Sequence, residues 1–316
     1  MPKPYSGWKE REDKLKDFWA FACERQAVFH RRFILKQKPP WTKNPTLQTH
    51  FFTNVYRELD RGTLYLLEHL AFWKGIKAKP VDVIFNIFIY RLFNHMPTYD
   101  FLMHDQEGEP IPCGGWVWKT AAKNLKAWKA DGNQVFTSAF TVTGVRFGGF
   151  DEKIDNICWL IEDLQDALIN RGLGKDLVNA PTMEDLFDYL RNTYGFGKFL
   201  AYEITIDINY FMKKFSEDDF VNPGPGCKRG INLIFPDAGT TDDYVRVMRW
   251  LRKNQKAFFK RYGLVMEFYR KRELSLRNIE HSLCEYQKYV KRRSGKRGGR
   301  ARKFAPQLKR PLPYKI

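Results

Sequence analysis

A mainly α-helical fold is what this sequence predicts, and three observations carry the prediction. Apolar residues recur at spacings of three and four through most of the long segments, the mark of one buried helical face. Prolines and glycines fall between those segments, where helices must stop. Only residues 134–143 concentrate β-branched and aromatic side chains, and that stretch fits an extended segment or a helix equally well.

The elements follow in order. Residues 10–29 carry Leu15, Phe18, Trp19 and Ala22 on one stripe, ahead of the basic His30-Arg31-Arg32. Pro39-Pro40-Trp41 breaks this pattern and marks a linker. Helices are expected over 53–73 and 81–93, the second stopped by Pro97, and over 120–129, between Gly114-Gly115 and Asp131-Gly132. Residues 151–170 align Ile154, Ile157, Ile161, Leu164 and Leu168 on one side. A short helix opens at Thr182-x-x-Asp185, a cap-like pair, and closes at Asp188-Tyr189-Leu190. Residues 190–203 read as helix, a Gly195-Phe196-Gly197 hairpin, and helix. Asn222-Pro223-Gly224-Pro225-Gly226-Cys227-Lys228-Arg229-Gly230 reads as a rigid loop with two cations at its exit. Long helices over 241–262 and 274–291 finish the fold, with Asp237 and Asp242-Asp243 placed to cap the first. The expected organisation is an N-terminal helical extension (1–45), a helical domain (46–290) and a basic, disordered tail (291–316).

The 316 residues can bury a sizeable core, and 43% hydrophobic with 16% aromatic residues argues for a folded chain. No run of about 18 apolar residues predicts a membrane span, and the N-terminus lacks the apolar stretch of a secretory signal. The five cysteines, at 23, 113, 158, 227 and 284, form no Cys-x-x-Cys pair. A disulfide framework or a cysteine-pair zinc site is therefore not expected, and the chain reads as intracellular and cytoplasmic. His95 and His104 lack the spacing of a metal site, so neither metal nor cofactor is expected.

The net charge of +18 is unevenly spread: residues 287–316 hold 12 Lys and Arg and no acidic residue, leaving +6 for the other 286. Such a basic arm binds phosphate backbones without reading sequence, so nucleic acid is the expected partner and no membrane is, with a solvated tail or a targeting signal as the plainer alternatives. Arg292 and Arg293 belong to that arm.

The most unusual run is 51–63, which sets Asn54, Arg57, Glu58, Asp60 and Arg61 among bulky apolar residues. On a helix, Asn54, Arg57 and Arg61 would share one face with Asp60 beside them, a face suited to an anion or a base edge. The same spacing also suits a plain Arg57–Asp60 ion pair. Backbone NH groups at the Gly195-Gly197 hairpin can hold a phosphate, with Lys198 adjacent, or simply form a tight turn.

Four blocks together resemble the helical domain of 5-hydroxymethyldeoxyuridine DNA kinases and the related alpha-glutamyl/putrescinyl-thymine pyrophosphorylase group. They are Phe52-Thr53-Asn54-Val55-Tyr56-Arg57-Glu58-Leu59-Asp60-Arg61, Phe85-Asn86-Ile87-Phe88-Ile89-Tyr90-Arg91-Leu92-Phe93-Asn94, Gly195-Phe196-Gly197-Lys198-Phe199-Leu200-Ala201-Tyr202 and Gly224-Pro225-Gly226-Cys227-Lys228-Arg229-Gly230. The resemblance runs from about residue 50 to about residue 289. It implies a fold distantly related to helix-hairpin-helix DNA glycosylases and a setting of thymine hypermodification, often in bacteriophages and hence in a host cytoplasm. It further implies transfer of an amine, from an amino acid or a polyamine, onto a pyrophosphorylated 5-hydroxymethyluracil base flipped out of DNA.

Two departures narrow this expectation. The chain has no Gly-x-x-x-x-Gly-Lys-Ser/Thr loop, so it is not expected to be a kinase by itself, and a separate hydroxymethyluracil DNA kinase becomes a possible partner. Glycosylases of the related fold carry a catalytic Asp just before a basic pair. Here Gly224 or Pro225 stands at that place, with Asp218 and Asp219 out of register, so base excision is the weaker alternative. A DNA-binding module that presents flipped bases is the other.

On this reading Arg57, Arg61 and Arg91 hold phosphate or pyrophosphate, and Asn54 and Asn94 pair with the base edge. Asp60, with Glu203 second, serves as general base or orients the amine. Gly195, Gly197, Lys198, Lys228 and Arg229 grip the DNA backbone, and Tyr202 stacks on a base. The plainer alternatives make Arg91 a partner of helix-end carbonyls and Tyr202 a core aromatic.

Overall fold

The computed structural model describes residues 4, 7–137 and 147–295. Among them stand thirteen α-helices and no β-strand, as the apolar spacing predicts. In chain order these are α1 (Glu12–Phe29), α2 (Pro45–Thr49), α3 (Arg61–Gly75), α4 (Pro80–Phe93), α5 (Met96–Leu102), α6 (Trp118–Ala130) and α7 (Lys153–Ile169). They continue as α8 (Leu173–Asn179), α9 (Met183–Arg191), α10 (Lys198–Met212), α11 (Pro225–Ile234), α12 (Thr241–Tyr262) and α13 (Leu276–Arg293). None is long and apolar enough to cross a membrane among the described residues.

The chain forms two compact units. The first joins the described residues up to Thr63 with those from Glu217 onward, and the second runs from Leu64 to Ser216. Within the first unit, α1 packs on α11, α12 and α13. Trp19 is fully buried there between Phe258 and Phe259, at ring distances of 5.8 and 5.1 Å. Aromatic pairs of this kind add about 0.5–1.5 kcal/mol each beyond their buried area.

Helices α11 and α13 make the closest packing of this unit, and glycines explain it. A Cβ on Gly230 would stand 2.3 Å from the Leu283 carbonyl oxygen, and one on Gly226 would stand 2.4 Å from Cys284 Sγ. The expected loop over 222–230 is therefore corrected. Pro225 occupies the first turn of α11, where its missing N–H costs nothing, and the glycines admit a neighbouring backbone.

Helix α12 begins at a capping box, in which the Thr240 side chain accepts the Asp243 N–H and the Asp243 carboxylate accepts the Thr240 N–H. Helix α13 extends through Lys291, Arg292 and Arg293, so these three are its last turn rather than tail, and cations there suit the helix dipole. Residues 296–316, the rest of the expected tail, lie outside the described residues.

The second unit is built around α4, whose residues from Val83 to Phe93 are all buried. Helices α5, α7, α8 and α10 surround it. Its one buried amide, Asn86, is satisfied: Nδ2 donates to the Asp82 and Ile111 carbonyls, and Oδ1 accepts from Tyr99 Oη and Ile111 N. Asn94 ends α4 in the left-handed conformation at φ 46°, a stop placed three residues before Pro97. Thr182 caps α9 by accepting the Asp185 N–H, as the spacing predicts. Residues 134–137 form no regular element, and 138–143 lie outside the described residues.

Candidate functional site

The run that stands out in the sequence folds as a turn, not as the expected helix over 53–73. Residues 57–59 make a single 3₁₀ turn, and α3 starts only at Arg61. The cause is local. The Asp60 carboxylate Oδ1 accepts the Asn54 N–H at 2.8 Å, and Asn54 Nδ2 donates to the Leu59 carbonyl at 2.6 Å. Short polar side chains thus take the Leu59 carbonyl, which a helix from residue 53 would have used, and tie the Asn54 N–H to Asp60.

This turn still brings the predicted residues together, in the first unit. Arg57 Nη1 lies 3.5 Å from Asp60 Oδ2 and donates to Thr63 Oγ1. Asn54 and Arg57 are buried, at 8% exposure each. Arg61 is exposed at the first position of α3.

Helices α1 and α13 close the cluster with residues that sequence reasoning missed. Arg25 donates to the Phe52 carbonyl and, at 2.7 Å, to Asn54 Oδ1. From α13, Asn278 Oδ1 accepts the Arg57 N–H at 2.9 Å and Glu285 Oε2 accepts the Thr53 N–H at 3.2 Å. His281 Nε2 stands 3.3 Å from Asp60 Oδ2. Asn278, His281 and Glu285 share one helical face at spacings of three and four, so the pattern was readable, but not what it faced.

The electrostatics follow from these partners. Burial alone would raise the Asp60 carboxyl, but the hydrogen bond and charge of His281, the Arg57 guanidinium and the Asn54 N–H hold it below the ordinary carboxylate value. Burial pulls the Arg25 guanidinium down to about 10, against the pull of Asp60 and Glu285. An ionised carboxylate touching a guanidinium and an imidazole, each side chain retaining some exposure, is what the loop assembles: 10% for Arg57, 16% for Asp60 and 15% for His281.

The other predicted residues lie in the second unit or on the surface. Arg91 is buried in a two-pronged pair with Asp207, Nη2 to Oδ1 at 2.8 Å and Nε to Oδ2, while Nη1 reaches Asn94 Oδ1 at 3.4 Å. Its guanidinium thus serves a carboxylate, not the helix-end carbonyls. Burial opposes its charge, and Asp207 more than restores it, raising the Arg91 pKa. Glu203, at 7% exposure, lies near enough to add to that field. Tyr202 is 2% exposed and packs edge-on against Phe187, which leaves no face for a base and makes it a core aromatic.

Gly195 and Gly197 sit in the turn between α9 and α10, with Lys198 exposed at the start of α10. Gly195 has φ 84°, and a Cβ there would meet Leu160 at 2.7 Å, so packing already requires this glycine. Lys228 and Arg229 lie on α11, Lys228 Nζ 5.3 Å from the Tyr244 ring and Arg229 exposed. Arg293 is paired with Asp17, Nη2 to Oδ2 at 2.6 Å. Asp218, the nearest stand-in for a glycosylase aspartate, pairs with Arg252 at 2.7 Å and accepts the Leu276 N–H.

Residues 12–298 match the family model described as the 5-hmdU DNA kinase, helical domain. A 5-hmdU DNA kinase of Bacillus phage SP10 is 30% identical over 294 residues, 87% of this chain and 44% of that protein. The chain therefore spans less than half the length of the curated relative it matches. No solved structure matches. On the family match, the chain belongs to the 5-hmdU DNA kinase helical-domain family.

Proposed function

From membership of that family we propose that this chain acts on 5-hydroxymethyluracil in DNA as a transferase. It displaces pyrophosphate from the activated base with an amine supplied by an amino acid or a polyamine. The observation that carries this reading is the Arg57–Asp60–His281 cluster in a chain without a kinase phosphate-binding loop.

The chemistry divides among the residues. The carbon–oxygen bond to pyrophosphate breaks as a carbon–nitrogen bond forms, so charge develops on the departing group. Arg57, with Arg61 after it in the chain, meets that charge. Asp60 is held ionised and has partners on both oxygens, which suits it to orient an ammonium better than to remove a proton. His281 in its neutral form accepts the proton that the attacking amine loses, and Asp60 steadies the imidazolium so formed. Asn54, whose amide donates to the Leu59 carbonyl and accepts from Arg25, holds the turn that carries Arg57 and Asp60. In the first unit Lys228, Arg229 and Arg292 hold the DNA backbone, and in the second the turn at Gly195, Gly197 and Lys198 offers a backbone contact of its own, while Arg91, Asn94 and Glu203 hold the fold.

A second reading has an observation of its own. Because the match covers the helical part of a kinase, the chain could present a flipped base to a separate hydroxymethyluracil DNA kinase. Mass spectrometry of nucleosides from pyrophosphorylated DNA incubated with protein and amine separates these. The transferase predicts a mass gain of the amine, and unchanged DNA with tight binding supports base presentation. Abasic sites would point instead to excision.

A further inference from the structure

Residues 1–63 and 217–316 hold 38 basic and 17 acidic side chains, a net of +21, whereas residues 64–216 hold 16 basic and 19 acidic, a net of −3. The 12 cations of residues 287–316 explain only part of the difference. Much of the remainder stands on α12. Arg246, Arg249, Lys253, Lys256 and Lys260 are all exposed, at successive spacings of three, four, three and four. At 3.6 residues per turn they occupy a sector of about 80° and run about 21 Å along the helix. The opposite face, Tyr244, Val247, Met248, Leu251, Phe258 and Phe259, is buried, so the stripe is held rigidly.

We propose that this face of α12 is a docking track for the phosphate backbone of nucleic acid. The partner is set by the charge pattern. DNA offers one phosphate per about 3.4 Å of each strand, so a 21 Å row of five cations parallels about six phosphates. A membrane surface would call for apolar side chains beside the cations, and no large exposed hydrophobic residue lies on α12. Lys256 is paired with Glu273 at 2.5 Å, which offsets part of its charge, and Arg249 donates to the Asp218 and Asp219 carbonyls, so the test below uses Arg246, Lys253 and Lys260. Asp242 is the acidic residue on the same face, one turn before Arg246. The inference rests on DNA being the substrate but not on any step of amine transfer.

The test is the salt dependence of binding of the full chain to duplex DNA, followed by fluorescence anisotropy from 0.05 to 0.4 M salt. The variant R246Q/K253Q/K260Q is compared with wild type and with K119Q/K123Q/K129Q, an equal charge change on exposed lysines of α6. Each phosphate left without its cation lowers the log–log slope by about 0.9, so the α12 variant loses about 2–3 and binds on the order of 100-fold more weakly at 0.1 M salt. The milder K253Q/K260Q shows about two-thirds of that slope change, and the α6 variant keeps the wild-type slope. An unchanged slope in the α12 variants, or an equal loss in the α6 variant, overturns the proposal. So does a wild type that prefers anionic lipid vesicles to DNA and loses that preference in the α12 variant. If the α12 variant loses DNA while the wild type leaves pyrophosphorylated DNA unaltered in the presence of amine, the docking track stands and the transferase reading falls.

Discussion

Two arginine–aspartate pairs, one in each unit, show how the same residue types serve opposite ends. Arg91 and Asp207 meet fork to fork with almost no exposure, 3% and 1%. Arg57 and Asp60 touch at 3.5 Å with 10% and 16% exposure, and Asp60 shares its oxygens with His281 and the Asn54 N–H. A closed pair commits its hydrogen-bonding capacity to the fold. The looser one leaves its side chains partly exposed, as a group that meets substrate must be.

The contrast is tested first where the effect is largest. Replacing Arg91 with Ala leaves the Asp207 carboxylate buried without its cation, and stability falls by about 3–5 kcal/mol. The same change at Arg57 is expected to cost less than half of that in urea unfolding, because Asp60 keeps His281 and the Asn54 N–H as partners. Equal losses would erase the distinction between a structural pair and a functional one.

Gly230→Ala sharpens the contrast from the scaffold side. A Cβ 2.3 Å from the Leu283 carbonyl must push α11 off α13, the helix that carries Asn278, His281 and Glu285. A loss of about 1–3 kcal/mol is expected, with weaker turnover in the fraction that remains folded. Full stability and activity would mean that the helix spacing does not hold the cluster.

A smaller effect concerns pH. The folded-state pKa of Asp60 lies below its unfolded value, so its contribution to stability is present above the ordinary carboxylate range and is lost as pH falls through the folded value. The melting temperature of wild type should therefore exceed that of Asp60→Asn at pH 6, and the gap should close on acidification. A gap that is constant from pH 3 to 7 would show that the carboxylate is not held by charge.

Much of this architecture was legible in the sequence. Helices α7, α9, α12 and α13 announce themselves by apolar spacing and α9 by its Thr182 cap, whereas α12 is capped by Thr240 with Asp243 and the expected Asp237 accepts the Lys9 N–H instead. Residues 53–60 depart from the expected helix because Asn54 and Asp60 compete with helical hydrogen bonds, a competition that propensity does not express. Residues 225–230 depart from the expected loop because proline and glycine mark both a loop and a helix that packs backbone to backbone; only the Leu283 carbonyl decides between them. The site was half visible: Asn54, Arg57 and Asp60 are neighbours in sequence, whereas Arg25 and His281 reach them only through tertiary packing. That Arg91 is closed off by Asp207, 116 residues later, carries no local signal.

Single-turnover amine transfer onto pyrophosphorylated DNA, read by nucleoside mass spectrometry, tests the central claim most directly. Asp60→Asn, Arg57→Ala and His281→Gln are each compared with wild type at equal DNA occupancy. Rates are expected to fall by about 100-fold or more for Arg57→Ala and His281→Gln, in the range of lost charge stabilisation and lost proton transfer, with Asp60→Asn between them and wild type. All three variants turning over at the wild-type rate while folded would contradict it.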